Sequence, residues 1–141
     1  MLRRWIGLRE RNNMEKDFDK WNIKKKNLHD QQTKIFYHER EIWWCALGVN
    51  IGFEQDGSGE EYRRPILILK GFSAQTCLVV PLTTSPQKHK FRPSIGIVDG
   101  EEAKALVSQI RVIDTKRLIS KICYLDKAVF ENIRKTVKDK F

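Results

Sequence analysis

Three short apolar runs dominate the middle of the chain: Ile42 to Leu47, Ile66 to Leu69 and Cys77 to Leu82. Each is too short for a helix, and each is bounded by Gly, Pro, Asp or Ser, so all three read as buried strands. A polar loop from Asn50 to Tyr62 separates the first two; it carries Glu54, Gln55, Asp56, Glu60 and Glu61 and runs into Arg63-Arg64-Pro65. The third run ends in Thr83-Thr84-Ser85-Pro86 and opens a second polar loop, up to Pro93, with Lys88, His89, Lys90 and Arg92. Loops held by strands are where sites are usually built. Beyond them, Ser94 to Asp99 reads as a strand, Gly100-Glu101 as a turn, and Ala105 to Ile113 as one strand carrying Gln109 and Arg111. Asp114 to Leu118 reads as a turn or 3₁₀ segment and Ile122 to Leu125 as a last strand. Asp126 then caps a helix from Lys127 to about Lys138, with Val129, Phe130, Ile133 and Val137 as its apolar stripe.

Upstream the period changes. Met14, Phe18, Trp21, Leu28 and Ile35 recur at helical spacing, with no Pro or Gly among them, so the pattern predicts a helix from Met14 to about Tyr37. Lys25 and Gln32 interrupt that stripe, and the opposite face is charged, with Glu15, Asp19, Lys20, Lys24 and Lys26; the run Lys24-Lys25-Lys26 either is a solvated face or grips phosphates. Residues 1–13 show no clear element: either Asn12-Asn13 cap the helix, or Met14 is the natural start. His38 precedes the first strand, where Trp43 and Trp44 point to opposite faces. One belongs to the core, and the other caps it, lines an interface or offers a stacking surface for a base.

Five or six short strands and a terminal helix imply a small, strongly curved sheet, α+β in class and mainly β. The length of 141 residues fits one compact core. No apolar run approaches the ~20 residues of a membrane helix, and no h-region follows Arg3-Arg4 to make a secretory signal. Three cysteines, Cys45, Cys77 and Cys123, lack CxxC spacing and fit buried thiols of a reducing, cytoplasmic compartment. The formal net charge of +9 favours a polyanionic partner without saying which.

Several chemistries have no motif here. There is no GxxxxGK[ST] for a nucleotide, no HExxH or Cys/His cluster for zinc, and no Gly-x-Ser-x-Gly nucleophile elbow. No Asp/Glu pair has the context of a two-metal nuclease. No cofactor or metal is expected.

The loop and strand motifs resemble those of the MazF/PemK toxins of toxin–antitoxin modules. The matching residues are Gly52-Phe53-Glu54-Gln55, Arg64-Pro65-Ile66-Leu67-Ile68-Leu69, Val80-Pro81-Leu82-Thr83, and Gln109-Ile110-Arg111-Val112-Ile113-Asp114-Thr115-Lys116-Arg117-Leu118. The resemblance covers roughly Glu39 to Phe141. It divides the chain into a basic amphipathic helical extension, residues 1–38, and a toxin domain, residues 39–141. It implies an SH3-like small barrel of the MazF, PemK and CcdB kind, forming a two-fold homodimer. It also implies a metal-independent endoribonuclease that cuts single-stranded RNA and is neutralised by an acidic antitoxin. In such a reaction the 2′-OH attacks its own phosphate, and the protein stabilises the charge.

Similarity to the family assigns the catalytic roles to Arg64, whose planar fork suits a phosphate, and Thr83, whose hydroxyl can hold the same group. Glu54 and Gln55 either position the loop or read a base edge of the RNA, and the basic loop adds Lys88 and His89 as RNA contacts, His89 alternatively as a base. Arg111 either binds backbone phosphate or pairs with Asp114, and Gln109 either contacts RNA or braces the first loop. Phe53 stands where the family commonly has Ser, in a loop lengthened by Ser58 to Tyr62; it either stacks on a base or fills the groove. The alternative to catalysis is a binding module for nucleic acid or protein on the same barrel, with a topoisomerase-like protein as a further kind of target.

Overall fold

The computed structural model describes residues 16–30, 35–48, 62–86 and 92–141. Helix α1 (Phe18–Asp30) leads to strands β1 (Glu41–Ala46), β2 (Arg63–Gly71), β3 (Thr76–Thr83), β4 (Ser94–Val98) and β5 (Glu101–Ala105). A 3₁₀ turn (Val107–Gln109), β6 (Arg111–Asp114), a second 3₁₀ turn (Thr115–Arg117), β7 (Leu118–Tyr124) and helix α2 (Lys127–Lys140) follow. The strands form one curled antiparallel sheet in the order β4-β5-β3-β2-β1-β7, and β6 also pairs with β3. The result is a mainly-β half-barrel with a C-terminal helix.

All six residues of β1 are buried. A strand without apolar–polar alternation is covered on both faces. Ile42 belongs to the layer between sheet and α2, with Leu67, Val80, Leu82, Phe130 and Ile133. Trp43 and Cys45 face the opposite way, into the curl, with Ile66, Ile68, Val79, Ile113 and Leu118. Trp43 and Trp44 are both buried, so neither offers an exposed ring for a base. The Arg63 guanidinium lies 4.9 Å from the centre of the Trp44 ring.

The N-terminal helix is shorter than its sequence pattern predicts. Asp17 caps it, accepting from the Lys20 N–H at 3.0 Å, and it ends at Asp30. Trp21 and Leu28 are buried, but Phe18 is exposed. Ile35 and Tyr37 lie in extended chain and pack on the inner cluster instead. The Tyr37 hydroxyl reaches the Ser73 carbonyl at 2.6 Å. Those tertiary contacts override the helical period at its C-terminal end.

The predicted strand from Ala105 to Ile113 is two strands. Between the pairs Leu82↔Ala105 and Val79↔Arg111, β3 moves back three residues while its partner advances six. The Val107–Gln109 turn takes up the excess, and Leu106 N–H is tied to the Pro81 carbonyl at 2.8 Å. The preceding turn is Asp99-Gly100 rather than Gly100-Glu101, with φ of 49° and 85°. Two successive positive φ values give the tight hairpin turn that matches strand twist. Strand β7 starts earlier than predicted, at Leu118, because it pairs along β1 from Cys45 to Glu41. The C-terminal helix is as expected, with the Asp126 carboxylate accepting from the Ala128 and Val129 N–H groups.

Candidate active site

Arg64 is the second residue of β2 and Thr83 the last of β3. The β2–β3 ladder ends at Ile66↔Pro81, so Arg64 and Thr83 lie just beyond its last pair, each two residues from it. The Arg64 side chain is buried, 4% exposed, and its Nη1 donates to the Leu82 carbonyl at 2.9 Å. A long cationic side chain is thus laid across the strand end toward the residue before Thr83. Thr83 is also buried, and its Oγ1 accepts from the Ser85 N–H at 3.2 Å. A threonine hydroxyl that accepts one bond keeps its single O–H donor, so Thr83 has the chemistry to donate to an anion.

Two cations that sequence reasoning did not single out stand nearby. Lys104 on β5 lies opposite Thr83, and its ammonium donates to the Ser85 carbonyl at 2.9 Å. Its neighbours in sequence, Glu101, Glu102 and Ala103, carry no apolar run, so only strand pairing brings it here. Arg117 closes the second 3₁₀ turn and donates from Nη1 to the Ala46 carbonyl at 3.0 Å. Its place inside the Gln-Ile-Arg…Arg-Leu motif was the available signal.

The remaining predicted residues divide. Gln109 ends the turn anchored on Pro81, which places it beside β3. Arg111 pairs across β3 with Val79. It does not pair with Asp114, whose carboxylate instead caps the second 3₁₀ turn by accepting from Lys116 N–H at 2.8 Å. Burial lowers the Arg117 pKa from its ordinary value, and the like charge of Arg111 adds to this. Burial pushes the Cys45 thiol up to about 12 against the opposing influence of Arg117 and Arg111, which leaves it a neutral core side chain rather than a nucleophile. Glu54, Gln55, Lys88 and His89, with Phe53, lie outside the described residues. Among the described residues no group of three or more His, Cys, Asp or Glu is placed to hold a metal ion, and no helix is long and apolar enough to cross a membrane.

Comparison with solved structures places this curled half-barrel with its C-terminal helix among toxin folds. The chain belongs to the family described as PemK-like, MazF-like toxins of type II toxin–antitoxin systems, whose model matches residues 38–141. Its fold is similar to that of MazF from Deinococcus radiodurans, at a TM-score of 0.61 and 18% identity over 75% of this chain and 96% of that one. It is also similar to the Mycobacterium tuberculosis toxin MazF-mt6, at 0.55 and 16% over 71% and 94%. A mycobacterial endoribonuclease solved with its cognate antitoxin is similar at 0.57 and 15%, over 74% and 93%. No curated protein matches in sequence.

Proposed function

We propose that this toxin is a metal-independent endoribonuclease that cuts single-stranded RNA. The observation that carries the reading is the placement of Arg64 on the Leu82 carbonyl, beside Thr83, at the ends of two rigid strands. In the proposed reaction the 2′-oxygen of one nucleotide forms a bond to its own phosphorus and loses its proton. The bond from phosphorus to the leaving 5′-oxygen breaks, and that oxygen takes a proton. The products are a 2′,3′-cyclic phosphate and a 5′-hydroxyl. Arg64 stays charged and stabilises the phosphoryl oxygens, where charge builds up in the transition state. Thr83 donates to the same phosphate. Gln109 and Arg111 hold the strand on either side, with Glu54, Gln55, Lys88 and His89 contributed by the two polar loops. A single-stranded substrate is needed for the protein to reach unstacked bases.

The same reading makes residues 1–38 an extension of a toxin domain at 39–141, supported by a family match that starts at His38. It makes the protein a cytoplasmic homodimer neutralised by an acidic antitoxin. The solved complex of a similar endoribonuclease with its antitoxin supports the partner, and exposed Ile97 and Val112 on the outer strands offer apolar surface to a second copy. The test is incubation of the purified protein with a long single-stranded RNA in EDTA, with the ends mapped. Discrete cuts bearing cyclic phosphate are expected. Intact RNA after incubation with a protein shown to be folded would overturn the reading.

A further inference from the structure

Helix α1 is fastened to the barrel at two places. Trp21 packs on Ala46, stacks against Tyr62 with ring centres 5.4 Å apart, and closes over Gly48, where a Cβ would fall within its indole. The Arg117 guanidinium sits 5.7 Å from the centre of the same indole. At the other end of the helix, Lys116 Nζ donates to the His29 carbonyl at 2.8 Å. Between these two fastenings the helix and the Thr115–Arg117 turn enclose an open cleft of about 440 Å³. Lys25, Lys26 and His29 line it from the helix, and Lys116 and Arg117 from the turn, with Asp30 and Asp114 as the acidic members.

Three observations bear on its occupant. Four of the lining side chains are cationic and two are carboxylates, and the Asp114 carboxylate is engaged on the backbone of its own turn. Lys25 and Lys26 are exposed, while Arg117 is half-buried and makes no ion pair among the described residues. The Arg117 side of the cleft also lies at the same end of β1 as Arg64. Cys45 is flanked on one neighbouring strand by Arg64 and on the other by Leu118, the residue after Arg117. Two strand spacings, roughly 10 Å, separate those neighbours.

We propose that this cleft is a second RNA subsite, in which Lys25 and Lys26 of the added helix and Lys116 and Arg117 of the turn hold the phosphates of the strand a few nucleotides from the one cut at Arg64. The proposal rests on the ribonuclease reading above. Cations spaced along a groove track a single-stranded backbone without reading its bases. The subsite therefore adds affinity and salt dependence and leaves the choice of cleavage site alone. It also gives the N-terminal segment a function that the family domain lacks on its own.

The probe is a fluorescent 2′-O-methyl RNA 20-mer, which has no 2′-OH nucleophile and stays intact. Its binding to the full chain is measured across a salt series for wild type and a Lys25→Gln, Lys26→Gln double variant. Both lysines are exposed, so the variant folds. The variant is expected to bind roughly tenfold more weakly at 0.1 M salt, and its slope of log K against log salt is expected to fall by about 1.4, two single-strand phosphates' worth. Its cut sites on a long RNA stay unchanged. Equal affinity and slope, in a wild type that binds and cuts RNA, overturn the subsite and leave the ribonuclease reading standing. Unchanged RNA binding with lost binding of poly-glutamate overturns it in favour of an acidic protein. A wild type that neither binds nor cuts RNA overturns both.

Discussion

The two ends of the curled sheet bury charge in opposite ways. At one end Glu41, 1% exposed, is surrounded by donors: Trp43 Nε1 at 3.0 Å, the His38 N–H at 2.7 Å and Lys121 Nζ at 3.2 Å. Burial by itself would raise its pKa, but these hydrogen bonds outweigh it and hold the carboxyl below its ordinary value. At the other end Arg64 and Arg117 lie on the neutral carbonyls of Leu82 and Ala46. A carboxylate served by several donors has its capacity filled by the fold. An arginine carries five donors in a rigid fork, more than one carbonyl takes up. A carboxylate ringed by donors of the fold thus stands against the arginines that the proposed reaction turns toward a phosphate.

The most severe break of that comparison is Arg64→Ala. Loss of one preorganised group facing transition-state charge costs about 10²–10³ in rate. Cleavage of a long RNA by the folded fraction is expected to fall by that much, and loss of the buried bond to the Leu82 carbonyl lowers stability by about 1–3 kcal/mol as well. Glu41→Gln should lower stability without lowering cleavage. It removes the charge and turns the oxygen facing Lys121 into an amide donor, while the remaining oxygen still accepts from Trp43 and His38; it is expected to destabilise by about 2 kcal/mol, read as a lower urea midpoint, with cut sites unchanged in the folded fraction.

A smaller effect is expected from Gly48→Ala. The position has φ of 75° and the Trp21 ring closes on it, so the substitution strains the backbone by about 1–2 kcal/mol and displaces α1. Faster limited proteolysis within α1, with the barrel retained, is the readout. The pH dependence sharpens the same contrast. A carboxyl with a folded pKa below the unfolded value contributes stability above the unfolded pKa and loses it as pH falls through the folded one. Stability should therefore drop as pH falls below about 4.5, and Glu41→Gln should flatten that drop in urea titrations at pH 6 and pH 3.5.

What was legible in the sequence follows the same physics. The strands β1, β2 and β3 are buried on both faces, so they appear as unbroken apolar runs, and the Asp126 cap announced α2. The positions of Arg64 and Thr83 at strand ends were readable because the apolar runs stop beside them. Lys104 and Arg117 were not singled out, since their positions depend on pairings between segments distant in sequence. The helix end at Asp30 and the break at Val107–Gln109 were hidden for a related reason. Local period cannot show that Ile35 and Tyr37 pack inside the curl, or that β5 and β6 share one edge of β3 with a mismatch in length.

The most direct test sets the two buried charges side by side. Wild type, Arg64→Ala and Glu41→Gln are each incubated with one long single-stranded RNA in EDTA, at a temperature where all three are folded, and the cut ends are mapped. The account predicts the same discrete cyclic-phosphate ends from wild type and Glu41→Gln, and none from Arg64→Ala. Undiminished cutting by Arg64→Ala, or its loss in folded Glu41→Gln alone, would contradict it.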